Sequence, residues 1–193
     1  MIVERVVRET QKVLVTVEGE EYALHPLIWA QHAVFEGEKI DLEEMVRLSK
    51  REWTLEAGLR YATKFMRTRS QVAQYLIRKE LVPTEEVLDK LEEWGAIDDL
   101  AFARSYAESV ASRNGPYHIR GKLREKGISS EVIASLDLEE DPEVIREILL
   151  KKYSQWEDIS LQEAMKRQKF LINRGFSFES SRKGVESLKK RAE

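Results

Sequence analysis

A leucine inside a basic cluster, followed by another apolar residue, returns three times in this chain: QYLIRKEL at 74–81, GKLREKGI at 121–128 and KFLINRGF at 169–176. Leu76, Leu123 and Leu171 are spaced by 47 and then 48 residues. A period of that length marks an array of helical units, each too small to bury its apolar face alone and so stacked on its neighbours. Around the first leucine the apolar positions fall at helical spacing. Leu55, Leu59, Ala62 and Met66 form one set, Val72, Tyr75 and Leu76 a second, and Val87, Leu91 and Trp94 a third. Three helices per unit follow.

The first quarter reads differently. KVLVTV at 12–17 alternates, with Val13, Val15 and Val17 on one side, and the turn EGE leads into a second extended run, EYAL, which predicts a hairpin. His25-Pro26 then opens PLIWAQHAVFEG, a short helix bracketed by Pro26 at its first position and Gly37 at its end. Asp41 caps the charged helix that connects to the first repeat. The expected fold is mainly α: an elongated array of three tandem three-helix modules behind a small N-terminal region containing a β-hairpin. The corresponding domains are 1–51 for the hairpin and helix extension, then modules at 52–97, 98–139 and 140–193.

Helix punctuation supports that division. Thr84 caps the helix that carries Val87, Asp141 precedes Pro142, and Ser160 with Glu163 has capping-box spacing. Gly127 and Gly175 stand where the second helix of a unit must stop, whereas Glu80 holds that place in the first unit.

Net charge is only −3, but the order of the charges is informative. No acid lies between Glu56 and Glu80, between Glu108 and Glu125, or between Glu163 and Glu179. Each of these gaps overlaps the middle helix of a unit. Eight acids between Glu80 and Asp99 face only Lys90. One such run reads as a solvated face, but three at equivalent repeat positions form a strip that attracts phosphates or an acidic protein groove. The acid-rich third helices would repel a nucleic-acid backbone wrapped all around the chain.

Groups that could carry chemistry are few. There is no cysteine, so disulfides, thiolate nucleophiles and Cys-ligated zinc are excluded. Neither a phosphate-binding G-x-x-x-x-G-K-[ST] nor a G-x-G-x-x-G motif occurs. His25 and His32 share a helical face without a third ligand, and His118 opens a helix beside Pro116 and Tyr117. Trp29, Trp53, Trp94 and Trp156 fall one per helical region, as core or interface anchors do. Asp98 and Asp99 look like paired acids, yet Gly95 ends one helix before them and an apolar-periodic run follows. Capping contributes roughly 0.5–2 kcal/mol at such a junction, and the pair is assigned to it. The longest uncharged run, Tyr22 to Phe35, is too short to cross a bilayer, and the charged start MIVERVVRE argues against a signal peptide. A non-enzymatic, cytoplasmic protein without cofactor or metal is expected.

GLRYATKFMRTRSQVAQYL, LEEWGAIDDLAFARSYAES, GPYHIRGKLREKGIS and KRQKFLINRGFSFE, in that order and spacing, resemble the RecX regulators of the recombinase RecA. The resemblance covers about residues 52 to 190, and VTVEGEEYAL with EGEKIDLEEM is similar to the N-terminal extension of many members. It implies tandem three-helix modules that bind in the groove of the RecA filament on single-stranded DNA. It further implies lowered RecA ATPase and strand exchange, blocked filament growth in recombination and DNA repair, and no catalytic residue. The sequence departs from the family pattern at Glu80, at Gly121-Lys122, where a Glu often precedes the leucine, and in the first unit's connection to its third helix, shorter than the family's usual spacing.

The expected partners are therefore the RecA filament and single-stranded DNA within or beside it, bound by a monomer. Charge and repeat position select the contact candidates: Arg67, Arg69, Arg78 and Lys79; Arg113, Arg120, Lys122, Arg124 and Lys126; Lys166, Arg167, Lys169 and Arg174. Two alternatives stand beside this reading. Three-helix units with a basic second or third helix also read as helix-turn-helix DNA binders, with Gln71, Gln74 and Gln168 as the sparse base-edge readers. A helical scaffold that binds only another protein is the other.

Overall fold

The computed structural model describes residues 1–192, with side chains as far as Lys189. The chain divides into two compact units, Met1–Asp98 and Asp99–Glu193. Each is described by itself.

The first unit opens with three antiparallel strands in the order β1-β2-β3: β1 Val3–Arg8, β2 Val13–Val17 and β3 Glu20–Leu24. The expected hairpin is β2-β3, paired from Val13↔Leu24 to Val17↔Glu20. Val13, Val15 and Val17 alternate into the core, as their spacing requires. Strand β1 was not expected, because the charges of MIVERVVRE obscure its alternation and an edge strand needs only one apolar face. Val3 supplies that face, paired with Val17 and buried.

The outer side of β1 explains where PLIWAQHAVFEG departs from expectation. Helix α1 covers only Pro26–Gln31. The residues after it turn back to pair the open edge: Val3 exchanges backbone bonds with Glu38 and Gly37, and the Glu36 carboxylate accepts the Val6 N–H. An exposed strand edge is thereby closed. His25 is the α1 cap, its Nδ1 accepting the Leu27 N–H while its own N–H donates to Ser49 Oγ. Its Nε2 lies 3.2 Å from the Glu56 carboxylate, so all its polar atoms serve the fold.

Helix α2 runs unbroken from Leu42 to Lys64, with Asp41 capping it through the Glu44 N–H. It passes straight through position 51/52, the expected end of the N-terminal region. Leu42 and Met45 enter the core of the sheet, while Leu55 and Ala62 enter the next core. One helix thus serves two clusters, and Met66 lies beyond its end, exposed. Helices α3 (Arg69–Arg78) and α4 (Glu85–Glu93) complete that second core, closed by Val72, Leu76, Val87, Leu88 and Leu91. Thr84 caps α4 through the Val87 N–H. Trp94 is half exposed at the end of α4, unlike the buried Trp29 and Trp156.

The second unit carries two three-helix sets, α5 (Asp99–Ala111), α6 (Pro116–Glu125) and α7 (Ser130–Ala134), then α8 (Pro142–Lys152), α9 (Leu161–Asn173) and α10 (Phe178–Ala192). Each set has its own core, around Ala103, Ile119, Leu123 and Ile133 in one and Ile145, Leu149, Leu171 and Val185 in the other. Asp98 precedes α5 and Asp99 is its first residue. Asp141 and Ser160 cap α8 and α9.

Leu76, Leu123 and Leu171 are fully buried, and the backbone repeats around them. Leu81, Ile128 and Phe176 each donate back to the leucine carbonyl, at 3.0, 3.1 and 3.2 Å, and Glu80, Gly127 and Gly175 each donate to the carbonyl one residue further on. This is a Schellman end three times over, and its C′ residue must be left-handed. Gly127 and Gly175 adopt φ of 80° and 86°; Glu80 adopts 60°. A left-handed residue with a Cβ costs about 1–2 kcal/mol, part of which glycine returns as unfolded-state freedom. Glu80→Gly is expected to stabilise the chain by about 0.5–1 kcal/mol in urea denaturation. Residues 79–84 connect α3 to α4, the longest of the three equivalent links in this chain, against 126–129 and 174–177.

Candidate interaction surface

The thirteen candidate cations do not form one class. In the first unit Arg69 lies across α3 and α4 and bonds Glu85 at 2.6 Å, Asp89 at 2.6 Å and Glu92 at 3.0 Å. Burial works against its charge, but the three carboxylates more than offset this and hold its proton more tightly than in a free arginine. Arg51 pairs with Glu86, and Lys90 with Glu93. The acid-rich third helix is thus largely neutralised inside its own module. Arg67 is half-buried over the rings of Tyr61 and Phe65, at 4.9 and 5.6 Å, beside the stacked pair Tyr61–Tyr75. Arg78 and Lys79, at the end of α3, are exposed and carry no ion pair among the described residues.

In the second unit Arg120 is half-buried and donates to the Leu138 carbonyl. Lys122 pairs with Glu125 at 2.7 Å, a bond that raises the lysine's pKa and lowers the glutamate's. Lys126 lies over Phe102 and Tyr106, at 5.8 and 5.2 Å. Arg113 is exposed and, among the described residues, its side chain reaches the Ser109 carbonyl without an ion pair. Arg124 is exposed without an ion pair among the described residues.

Helix α9 holds the clearest departure. Arg167 is 5% exposed, sandwiched between Tyr153 at 4.6 Å and Trp156 at 4.4 Å, and bonded to the Gln155 carbonyl and to Glu163. It is a core residue and offers nothing to a partner. Lys166 is exposed and loosely paired with Glu163 at 3.6 Å, and Lys169 is exposed without an ion pair among the described residues. Arg174 spans the two modules of this unit, over Phe170 at 4.7 Å and bonded to the Arg113 carbonyl at 2.8 Å.

That last bond belongs to a larger junction. The carbonyls of Arg174 and Gly175, at the negative end of α9, accept the N–H groups of Gly115 and Tyr117 at 2.8 and 3.0 Å. These are the free donors on either side of Pro116, which has none, at the positive end of α6. A second clasp forms where Glu140 accepts from the Ser177 N–H and from the hydroxyls of Ser177 and Ser180. Burial raises the Glu140 carboxyl, but these bonds and the Arg120 charge outweigh it and leave it below the usual carboxylate range.

The cations left open to a partner are therefore Arg78, Lys79, Arg113, Arg124, Lys166 and Lys169, all on or beside the second helix of a module. The C-cap of that helix is a cation in every repeat, Lys79, Lys126 or Arg174, a placement the helix dipole also favours. The base-edge candidates are mostly engaged: Gln71 completes a capping box with Thr68, and Gln168 donates to the Phe178 carbonyl. Sequence reasoning passed over the exposed apolar residues of the same helices, Ile77, Tyr117, Met165 and Ile172. They repeat out of phase with the core, which is the signal that could have found them.

A family model described as RecX, second three-helix domain, matches residues 98–135. The Regulatory protein RecX of Bacillus cytotoxicus is 32% identical over 187 residues, covering 89% of this chain and 69% of that protein. That of Enterococcus faecalis is 26% identical over 182 residues, with 88% and 68% covered. Among solved structures, a crystal structure of regulatory protein RecX superposes with a TM-score of 0.73 at 22% identity, covering 98% of each chain. RecX from Lactobacillus salivarius gives 0.60 at 23%, covering 72% of this chain and 96% of that one. At such identity the structural likeness speaks for the fold.

Proposed function

This chain belongs to the RecX family, and from that premise we propose that it is a non-catalytic cytoplasmic regulator that binds the RecA filament on single-stranded DNA along its groove. Bound there, it lowers RecA ATPase and strand exchange and limits filament growth. The observation that carries the reading is the position of the open cations: Arg78 and Lys79 at the end of one second helix, Arg113 just before the next and Arg124 on it, Lys166 and Lys169 on the third. Charges that the fold consumes, such as Arg69 and Arg167, drop out of the contact set. What remains is a pair of open cations on or beside each second helix, at positions that differ from module to module, so that each module adds its own charged contact along a polymer.

A DNA-binding role independent of RecA fits less well. The α6 amides on either side of Pro116, which could have received a phosphate, are spent on α9. Gln71 and Gln168 are held by internal bonds, leaving Gln74 as the exposed base reader.

Exposed ion pairs are worth about 0–1 kcal/mol each. Single substitutions at the open cations should therefore change affinity by less than about fivefold. The double reversal Arg113→Glu with Arg124→Glu should weaken cosedimentation with RecA–DNA filaments by about tenfold or more and relieve inhibition of RecA ATPase to match. Unchanged binding by the double variant would remove α6 from the contact surface.

A further inference from the structure

Leu161, Met165, Gln168 and Ile172 recur at intervals of four, three and four, which lines them up as one stripe along α9. The stripe is not the core face, which is Ala164, Arg167 and Leu171. Leu161 is 77% exposed, Met165 61% and Ile172 39%. Gln168 bonds the Phe178 carbonyl at 3.3 Å, bringing the start of α10, with a 66% exposed Phe178, against the same face.

The other second-unit module shows that folding does not demand apolar residues here. Shifted by the repeat of 48, Leu161, Met165, Gln168 and Ile172 correspond to Arg113, Tyr117, Arg120 and Arg124. Helix α6 buries Ile119 and Leu123 with cations and a tyrosine along this stripe. In α9 the equivalent line sets three exposed apolar side chains, Leu161, Met165 and Ile172, around the internally bonded Gln168, the kind of surface that marks an interaction site.

We infer that this stripe, with Phe178 at its edge, is a protein-docking surface that takes an apolar groove rimmed by carboxylates on the protein component of the filament. Charge selects the occupant. Lys169 stands beside the stripe and Lys166, loosely paired with Glu163, lies a further step round the helix, with no acid between Glu163 and Glu179. A second copy of this chain would set those lysines against their own copies, whereas an acidic rim would pair them. Four side chains at these exposures offer on the order of 400–500 Å², against about 800 Å² per partner in an independent dimer. The surface suits one contact among several along a polymer. Nucleic acid alone finds little along the α9 stripe itself, since Leu161, Met165 and Ile172 neither neutralise phosphate nor stack on bases, and Phe178 is a single ring at its edge.

The inference rests on the regulatory reading above and is tested in the full chain with Met165→Glu plus Ile172→Glu, and with the same pair changed to Lys. Both positions are off the core, and circular dichroism checks that helix content is unchanged. The Glu pair should lower cosedimentation with RecA–DNA filaments at least tenfold at 0.15 M salt and still by more than about threefold at 0.5 M, where repulsion from the acidic rim is screened but the lost apolar contact is not regained. The Lys pair loses the same apolar contact but is drawn to the acidic rim, so it should lose less than the Glu pair at 0.15 M and match it at 0.5 M, whereas binding to single-stranded DNA alone should be raised by the Lys pair. Equal binding by wild type and the Glu pair overturns the inference and leaves the regulatory reading standing. So does a wild type that sediments as a dimer when the Glu pair is monomeric, because the surface then belongs to a second copy. A wild type that fails to sediment with filaments overturns the regulatory reading as well.

Discussion

Replacing Gly175 by alanine is expected to cost about 3 kcal/mol or more, most of it in the second unit. Two independent penalties add at this residue. Its φ of 86° is a left-handed conformation that costs a side chain about 1–2 kcal/mol. A Cβ there would lie 2.2 Å from the His118 backbone nitrogen and 2.8 Å from its Cα. Backbone cannot swing aside as a side-chain tip does, so the end of α9 must lift from α6 and surrender the bonds to Gly115 and Tyr117. Gly115 faces the same contact from the other side, its Cβ position 2.3 Å from the Gly175 carbonyl oxygen. Hydrogen exchange reads the result directly, because the Gly115 and Tyr117 amides should lose protection before the rest of α6. Gly121→Ala is the control. It sits within α6 with nothing within 4 Å of a new Cβ, and the same change there should stabilise by about 0.5–1 kcal/mol. Acid should loosen the companion clasp. The contribution of the lowered Glu140 carboxyl is complete above its ordinary value of 4.5 and is lost as pH falls through the lower folded value.

Arg167→Ala should destabilise the chain by about 2–4 kcal/mol in urea denaturation followed by circular dichroism, while leaving filament affinity unchanged where the chain is folded. The guanidinium fills the space between Tyr153 and Trp156 and bonds the Gln155 carbonyl at 2.7 Å. Truncation leaves a cavity between two rings and a carbonyl without its donor. A desolvated cation over an aromatic ring contributes about 2 kcal/mol, and here one cation serves two rings. Arg167→Lys keeps the charge but cannot lie flat between them, so it should recover less than half of the loss. A variant that kept its stability and lost filament binding would return Arg167 to the contact surface.

Much of the fold could be read in advance wherever the signal was local. Asp41, Thr84, Asp141 and Ser160 cap helices as their types and positions required, because a cap depends on residues two or three apart. The β2-β3 hairpin followed from alternation around a tight turn. Strand β1 did not, since its partner at Val17 and its cover at Glu36–Glu38 are both distant in sequence. The α1 helix ended early for the same reason, its continuation being drawn off to close the edge of β1.

The contact candidates divide along that line. That the basic residues cluster on second helices was a property of the order of residues, and so was the spacing of Leu76, Leu123 and Leu171. Which charges remain open was not, because neutralisation depends on what packing brings within about 4 Å. Arg69 meets carboxylates on α4, 16, 20 and 23 residues away, only once α3 and α4 share a core. Arg167 is a core residue only because Tyr153 and Trp156 fold back beside α9, and Gly175 is indispensable only because α6 begins where α9 ends. By itself the sequence determined the number of helical units, their caps and the signs of their faces, all of which depend on neighbours along the chain. Tertiary structure alone decided which of those charged and apolar side chains are spent on the fold and which are left for a partner, because that depends on neighbours in space.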